Sequence, residues 1–159
     1  VRKSEPKLAA CDLAEVIDNS IGFIEATAKR HRVRIVREIQ GMRPQLLADQ
    51  VMLEQVLLNL MRNGIEAMTD TPVAEKRLTI TLAQRDNQME IRVIDRGGGI
   101  APEIADKLFT PLFSTKQDGM GMGLNICRSI VEFHHGRLGV ESNPDRGTLF
   151  IISLPIIRT

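Results

Sequence analysis

Apolar residues recur at helical spacing in several stretches of the chain, which predicts amphipathic helices. The first helix begins after Asp12, which forms a capping-box pattern with Glu15, and the second begins after Asp49, a good N-cap residue. Two further helices are predicted, a short one opened by a proline and one that follows a glycine-rich stretch. The predicted helices are about 12–31, 49–68, 102–108 and 124–134.

Alternation of apolar and polar residues predicts strands at about 33–39, 78–82, 89–93, 138–141 and 148–154. Turn residues at Asp86-Asn87 and at 143–147 join four of these strands into two hairpins. Strand pairs joined by tight turns favour an α+β fold with helices on one face of a mixed sheet. Residues 1–11 have no apolar period and are interpreted as the end of a linker from an upstream domain, which leaves 12–159 as one domain.

Composition limits the classes of partner. The chain has 159 residues, 43% of them apolar and 26% charged, which is typical of a globular domain rather than a disordered one. A formal net charge of +1 gives no electrostatic reason to expect nucleic acid or direct membrane contact, and the apolar run 149–157 is far shorter than the roughly 18 residues of a transmembrane helix. Cys11 and Cys127 have no metal-binding spacing and are expected to be buried free thiols within helical patterns, in a reducing, cytoplasmic compartment. Because the chain begins at Val1, we expect a piece of a longer protein.

Five polar residues share one face of the second predicted helix, at positions 55, 59, 62, 63 and 66. One interpretation is a solvated stripe. However, Asn59 and Asn63 are mediocre helix formers, and Gly64 follows them in mid-helix. Amide oxygens can bind a Mg²⁺ ion that phosphates already neutralise, so a metal-phosphate site is the alternative.

Two glycine-rich segments are candidate ligand sites. The first, Asp95-Arg96-Gly97-Gly98-Gly99-Ile100, directly follows a strand. It is either a simple turn or a place where a flat ligand approaches the backbone, with a carboxylate that can accept from an amine such as adenine N6. The second, Gly119-Met120-Gly121-Met122-Gly123-Leu124, opens into a helix, which makes a generic anion cradle.

Taken in this order, the segments resemble the catalytic and ATP-binding domain of sensor histidine kinases, in the GHKL superfamily. Residues 55–63 are similar to its asparagine box, 95–100 and 119–124 to its two glycine boxes, and 108–116 to its phenylalanine box. Gly136, Ser142 and 147–150 match its closing hairpin, so the resemblance covers about 12–155. It implies the Bergerat fold: a two-layer sandwich of a mixed sheet with about three helices on one face and a flexible ATP lid. Ser114-Thr115-Lys116 before a very short lid is similar to the subfamily of oxygen and C4-dicarboxylate sensors.

The resemblance implies ATP and Mg²⁺ as cofactors. Asn63, and with it Asn59, would bind Mg²⁺ and phosphate oxygens, while Asp95 would bind adenine N6. Gly97 and Gly99 would make room for the base.

The same resemblance assigns roles in the lid. Gly121 and Gly123 would cradle phosphates, Lys116 would reach the β or γ phosphate, and Phe109 and Phe113 would anchor the lid. The remaining residues assigned to nucleotide binding are Arg62, Ile100, Thr115, Gly119, Leu124 and, at the adenine end, Thr148.

Two positions differ from related proteins. Gly64 stands where the family usually has alanine, which is expected to loosen the helix by roughly 1 kcal/mol. Asn59 stands where ATPases of the gyrase, HSP90 and MutL type have a glutamate that activates water. An amide cannot take that proton, which favours a histidine kinase over the alternatives, a serine kinase or ATPase and a non-catalytic nucleotide-binding module.

None of the three histidines is followed by the acidic residue and proline of the family's phosphoacceptor box. His31, His134 and His135 are interpreted as helix-end residues that interact favourably with the helix dipole. The acceptor histidine and the general base are therefore expected in a separate dimerisation domain, with no certain catalytic residue in this chain. The implied reaction is transfer of the ATP γ-phosphoryl group to that histidine and then to a response-regulator receiver domain. The full-length bacterial protein is expected to be a homodimer.

Overall fold

The structure is a computed structural model that describes residues 5–41, 44–99, 123–143 and 146–156. Its α-helices within these ranges are α1 (Leu13–Arg30), α2 (Gln50–Ala67) and α3 (Leu124–Phe133). Asp12 caps α1, where its carboxylate accepts from the Ala14 N–H at 2.9 Å, and Asp49 caps α2, where it accepts from the Met52 N–H at 3.0 Å. These three predicted helices are confirmed. The predicted helix at 102–108 lies outside the described residues.

The strands are β1 (Ala9–Cys11), β2 (Arg34–Ile39), β3 (Leu46–Ala48), β4 (Arg77–Arg85), β5 (Gln88–Ile94), β6 (Arg137–Ser142) and β7 (Thr148–Pro155). Five of them form one sheet in the order β2-β4-β5-β7-β6. The strand β2 is parallel to β4, and the other pairs are antiparallel. The sheet is mixed, as the hairpin pattern predicted, and the α+β class is confirmed.

A second, two-stranded sheet pairs β1 with β3, and the apolar pattern did not predict it. Ala9–Cys11 lies in the segment that was interpreted as linker, and a strand of three residues is too short to show alternation. The expectation that Cys11 lies in a helix is therefore wrong, because it lies in the strand β1. Both Cys11 and Cys127 are buried free thiols, as predicted, and burial raises the pKa of each to about 11.

The core lies between the helices and one face of the five-stranded sheet. Alternate residues of the central strands face it, and the long helix α2 packs against them and against α1 and α3. The fully or nearly fully buried residues of these strands are Leu78, Ile80, Leu82, Met89, Ile91, Val93, Ile152 and Leu154. Within the described ranges, no helix is long and apolar enough to cross a bilayer.

Gly64 in the middle of α2 has a packing reason. A methyl group at this position would lie 2.7 Å from Leu78 Cδ1 and 3.3 Å from Asp95 Cβ. The helix approaches the end of β5 more closely than alanine would allow without a shift. The expected propensity cost of glycine is therefore offset by close contact between α2 and the sheet.

Candidate functional site

Asp95 lies at the end of β5, where the pairing of Ile94 with Leu149 brings it beside the first residue of β7. It is only 3% exposed. Its Oδ1 accepts from the Gly97 N–H at 2.8 Å and from the Thr148 N–H at 3.2 Å. No residue in the described part of the chain donates to Oδ2. Burial raises the pKa of the Asp95 carboxyl, and the two N–H groups act in the opposite direction.

The turn between β6 and β7 packs directly on the segment that follows Asp95. The Asn143 side chain donates to the Asp95 carbonyl oxygen at 3.1 Å, and Arg146 Nε donates to the Gly97 carbonyl oxygen at 3.2 Å. Gly147 has a φ of +100°, and a methyl group there would lie 2.2 Å from the Asp95 carbonyl oxygen. Asn143 and Arg146 were not predicted to contribute, because polar turn residues carry no signal of which carbonyl they will reach.

The glycines of the first glycine-rich segment have separate local roles. A methyl group on Gly97 would lie 2.4 Å from the Ala67 carbonyl oxygen, at the end of α2, whereas one on Gly98 would meet nothing within 4 Å. Gly99 has a φ of +83°, which disfavours other residues. Gly97 thus permits close contact with α2. That Gly97 and Gly99 also make room for a base stays a prediction.

The polar face of α2 is not a uniform solvated stripe. Asn59 is buried at 6% exposure, and its Nδ2 donates to Cys127 Sγ of α3 at 3.2 Å. Arg62 and Asn63 are half-buried, and only Gln55, a full turn before Asn59, is exposed. The two asparagines therefore lie on one face of α2 in unlike environments.

The N-terminus of α3 follows the second glycine-rich segment. Gly123 is its N-cap residue, and no side chain caps this end of the helix among the described residues. Leu124 is half-buried. The uncapped N–H groups of the first turn are suited to an anion. The other predicted residues of this region lie outside the described residues: Ile100, Phe109, Phe113, Thr115, Lys116, Gly119 and Gly121.

The three histidines lie at helix ends, as predicted. His31 and His134 are the C-cap residues of α1 and α3, and His135 follows with a φ of +63°. His134 is buried, and its Nε2 accepts from the Asp49 N–H at 3.0 Å. Its Nδ1 therefore carries the hydrogen and donates to the Ile130 carbonyl oxygen at 2.8 Å. His134 is held through both ring nitrogens, which suits a structural role and not a phosphoacceptor role.

Known proteins resemble this chain in sequence and in fold. The family described as histidine kinase-, DNA gyrase B- and HSP90-like ATPase matches residues 48–158. The C4-dicarboxylate transport sensor protein DctS of Rhodobacter capsulatus is 47% identical over 156 residues, which cover 98% of this chain and 24% of that protein. The chain thus spans about a quarter of the length of this relative.

Two solved structures of the histidine kinase ThkA superpose on the fold. Its nucleotide-free catalytic domain has a TM-score of 0.83 at 30% identity and covers 94% of this chain and 95% of its own. A second ThkA structure, in complex with the response regulator protein TrrA, has a TM-score of 0.79 at 28% identity over 94% of this chain and 42% of its own. The chain therefore belongs to the family of histidine kinase-, DNA gyrase B- and HSP90-like ATPases, and within it to the type of catalytic domain found in sensor histidine kinases.

Proposed function

We propose that this chain binds ATP with Mg²⁺ and serves the transfer of the γ-phosphoryl group to a histidine on the protein's own dimerisation domain. A response-regulator receiver domain would then take the phosphoryl group, in a homodimeric cytoplasmic kinase. The observation that carries the proposal is Asp95, a buried carboxylate whose Oδ1 accepts from two N–H groups and whose Oδ2 has no donor among the described residues. We assign Oδ2 to the ligand.

The residues present fit ATP. A carboxylate only accepts hydrogen bonds, so Asp95 Oδ2 suits the exocyclic amine of adenine, and a carbonyl-bearing base would face it as a second acceptor. Thr148 lies at the same end of the site, since its N–H binds the other oxygen of Asp95. The uncapped N-terminus of α3 suits phosphate oxygens.

The residues present also fit Mg²⁺, which prefers oxygen ligands and supplies neutralisation of phosphate charge when bound. Asn63 and Asn59 lie one turn apart on α2 and would offer neutral amide oxygens. Arg62 lies beside Asn63 and is half-buried, so it would contribute positive charge near the phosphates. The contacts expected of Lys116, Thr115 and the other lid residues belong to the same proposal.

Asn59 favours a kinase over a water-activating ATPase. The amide cannot take a proton from water, and its nitrogen already donates to Cys127 Sγ. This domain would position the nucleotide and stabilise charge, while the general base and the acceptor histidine would come from the dimerisation domain. The complex of ThkA with a response regulator supports the last step of the relay as a proposal for this chain.

The test combines the chain, Mg²⁺-ATP labelled at the γ position and the dimerisation domain of the same protein. We expect the chain alone to bind ATP in calorimetry without labelling itself, and acid-labile phosphohistidine to form only when the dimerisation domain is added. Stable label on His31, His134 or His135 would contradict the proposal. Rapid phosphate release without acceptor would favour an ATPase, and binding with neither outcome would favour a non-catalytic module.

A further inference from the structure

The side chain of Asn59 is held between α2 and α3. Its Nδ2 lies 3.2 Å from Cys127 Sγ, and this bond joins residues 68 positions apart in the chain. Asn59 is 6% exposed and Cys127 is fully buried. The contact is therefore part of the packed interior and not a surface encounter.

This bond determines the direction of the Asn59 amide. The amide group is planar, with nitrogen and oxygen on opposite sides of its carbon, so directing Nδ2 at Cys127 turns Oδ1 away from the sulfur. The reversed orientation would leave only the weak S–H donor to face Oδ1 and would lose the better N–H donor. A neutral thiol suits this position because it accepts a hydrogen bond without attracting a hard cation.

We propose that Cys127 is a positioning residue, which holds the Asn59 amide with its carbonyl oxygen available to the Mg²⁺-ATP complex. This inference rests on the proposed function, since it assigns the nucleotide and its metal to that face of α2. Without an acceptor at position 127, the amide could rotate and present N–H groups, which cannot bind a metal.

The hydrogen bond is tested first without nucleotide. In nitrogen-15 labelled protein, the side-chain amide signals of Asn59 are identified by their loss in Asn59→Ala. We expect these signals to move in Cys127→Ala and to stay in place in Ile130→Val, which also truncates a buried side chain of α3. Signals that stay in place in Cys127→Ala would overturn the inference.

The effect on binding is tested by titrating Mg²⁺-ATP, and ATP with chelator, against the same variants and the double variant with Asn59→Ala. Loss of one neutral hydrogen bond corresponds to about 2- to 12-fold in affinity. We expect Cys127→Ala to weaken the binding of Mg²⁺-ATP by this factor and to leave the binding of metal-free ATP unchanged. When Asn59 is already alanine, Cys127→Ala should not weaken the binding of Mg²⁺-ATP any further. Cys127→Ser, which keeps a shorter acceptor, should retain part of the affinity and guards against a folding defect of the alanine variant.

The possible failures are distinguishable. Three results would mean that Cys127 acts through packing, and each would overturn this inference alone. Cys127→Ala could weaken ATP binding equally with and without Mg²⁺, or equally when Asn59 is already alanine. Alternatively, Ile130→Val could weaken Mg²⁺-ATP binding as much as Cys127→Ala does. Failure of the parent chain to bind Mg²⁺-ATP would overturn the proposed function and, with it, the positioning role.

Discussion

Replacing Asp95 with asparagine is expected to change nucleotide binding and stability in opposite directions. Oδ1 accepts two N–H groups, at 2.8 and 3.2 Å, so the amide oxygen of the variant will take that place. The amide nitrogen will then occupy the position of Oδ2, the oxygen that we assign to the ligand. In the variant, the exocyclic amine of adenine would meet a second donor.

The size of the binding loss follows from the charge of the acceptor. A hydrogen bond to a charged group contributes about 1.5 to 3 kcal/mol, which corresponds to roughly 10- to 150-fold weaker ATP binding in Asp95→Asn. The guanine O6 oxygen can accept from the new amide, so the preference for ATP over GTP should narrow.

The stability change has the opposite sign because burial raises the pKa of Asp95 above its ordinary value of 3.8. The protonated carboxyl contributes favourably to the stability of the fold. This contribution is fully present when the pH is below the ordinary pKa, and it is lost as the pH rises through the higher pKa of the folded state. At neutral pH the buried charge therefore destabilises the ligand-free fold. Asp95→Asn should melt at a higher temperature than the parent at pH 7, and the difference should shrink as the pH falls.

Calorimetric titration of ATP and GTP, with thermal melts of the ligand-free proteins, decides both parts. Glu141→Gln is the control, since it removes one acidic charge from an exposed position on β6. Equal affinity of the parent for ATP and GTP would remove Asp95 from the adenine site. A variant that melts below the parent would show that the ionised carboxylate stabilises the fold, contrary to the effect expected of its burial.

Two further substitutions test the metal site and the glycine-rich segment. Asn63→Ala should abolish Mg²⁺-dependent nucleotide binding, measured by titration with and without chelator, while the domain stays folded because the side chain is half-buried and lies outside the hydrophobic core. Early melting with retained affinity would make Asn63 structural. Gly97→Ala should lower the free energy of unfolding in urea by about 1 to 3 kcal/mol, because its methyl group would press on the carbonyl at the end of α2. Gly98→Ala, where the space is open, should be close to neutral, and equal losses at both positions would refute the packing argument.

The helices could be predicted because their signals are local. Asp12 and Asp49 cap helices whose apolar spacing begins within the next turn, and both caps are confirmed. The strands β1 and β3 were missed because each has three residues, and their pairing depends on contact between segments more than 30 residues apart.

In the candidate site, too, the features that depend on local sequence could be predicted, and those that depend on distant contacts could not. The place of Asp95 at a strand end could be predicted from the alternation before it, and its burial and hydrogen bonds agree with a ligand-binding carboxylate. The contributions of Asn143, Arg146 and Cys127 could not be predicted, since each depends on a partner that lies at least 48 positions away. A polar side chain in a turn indicates a turn, but its partner is decided by tertiary packing.

The N-terminal end of α2 is fixed by two segments that are remote in sequence. The Asp49 carboxylate caps the helix and also accepts from the Lys7 N–H at 2.8 Å, while the Asp49 N–H donates to His134. The segment before β1, the start of α2 and the end of α3 therefore meet at one residue. The start of the helix that carries the proposed metal ligands is therefore tied to both of these segments.

The rest of α2 is fixed by contacts that leave no space. Its last carbonyl, on Ala67, lies against Gly97, and its middle approaches Leu78 and Asp95 where Gly64 has no side chain. Small changes in the core of a packed domain are resisted because its interior has few voids. Asn63 directly precedes Gly64, so the contact that brings α2 close to Asp95 also sets the distance between the proposed metal ligand and the proposed adenine acceptor. The spacing between Asn63 and Asp95 is therefore set by the packing of the ligand-free fold, which is the arrangement that preorganised binding at the proposed nucleotide site requires.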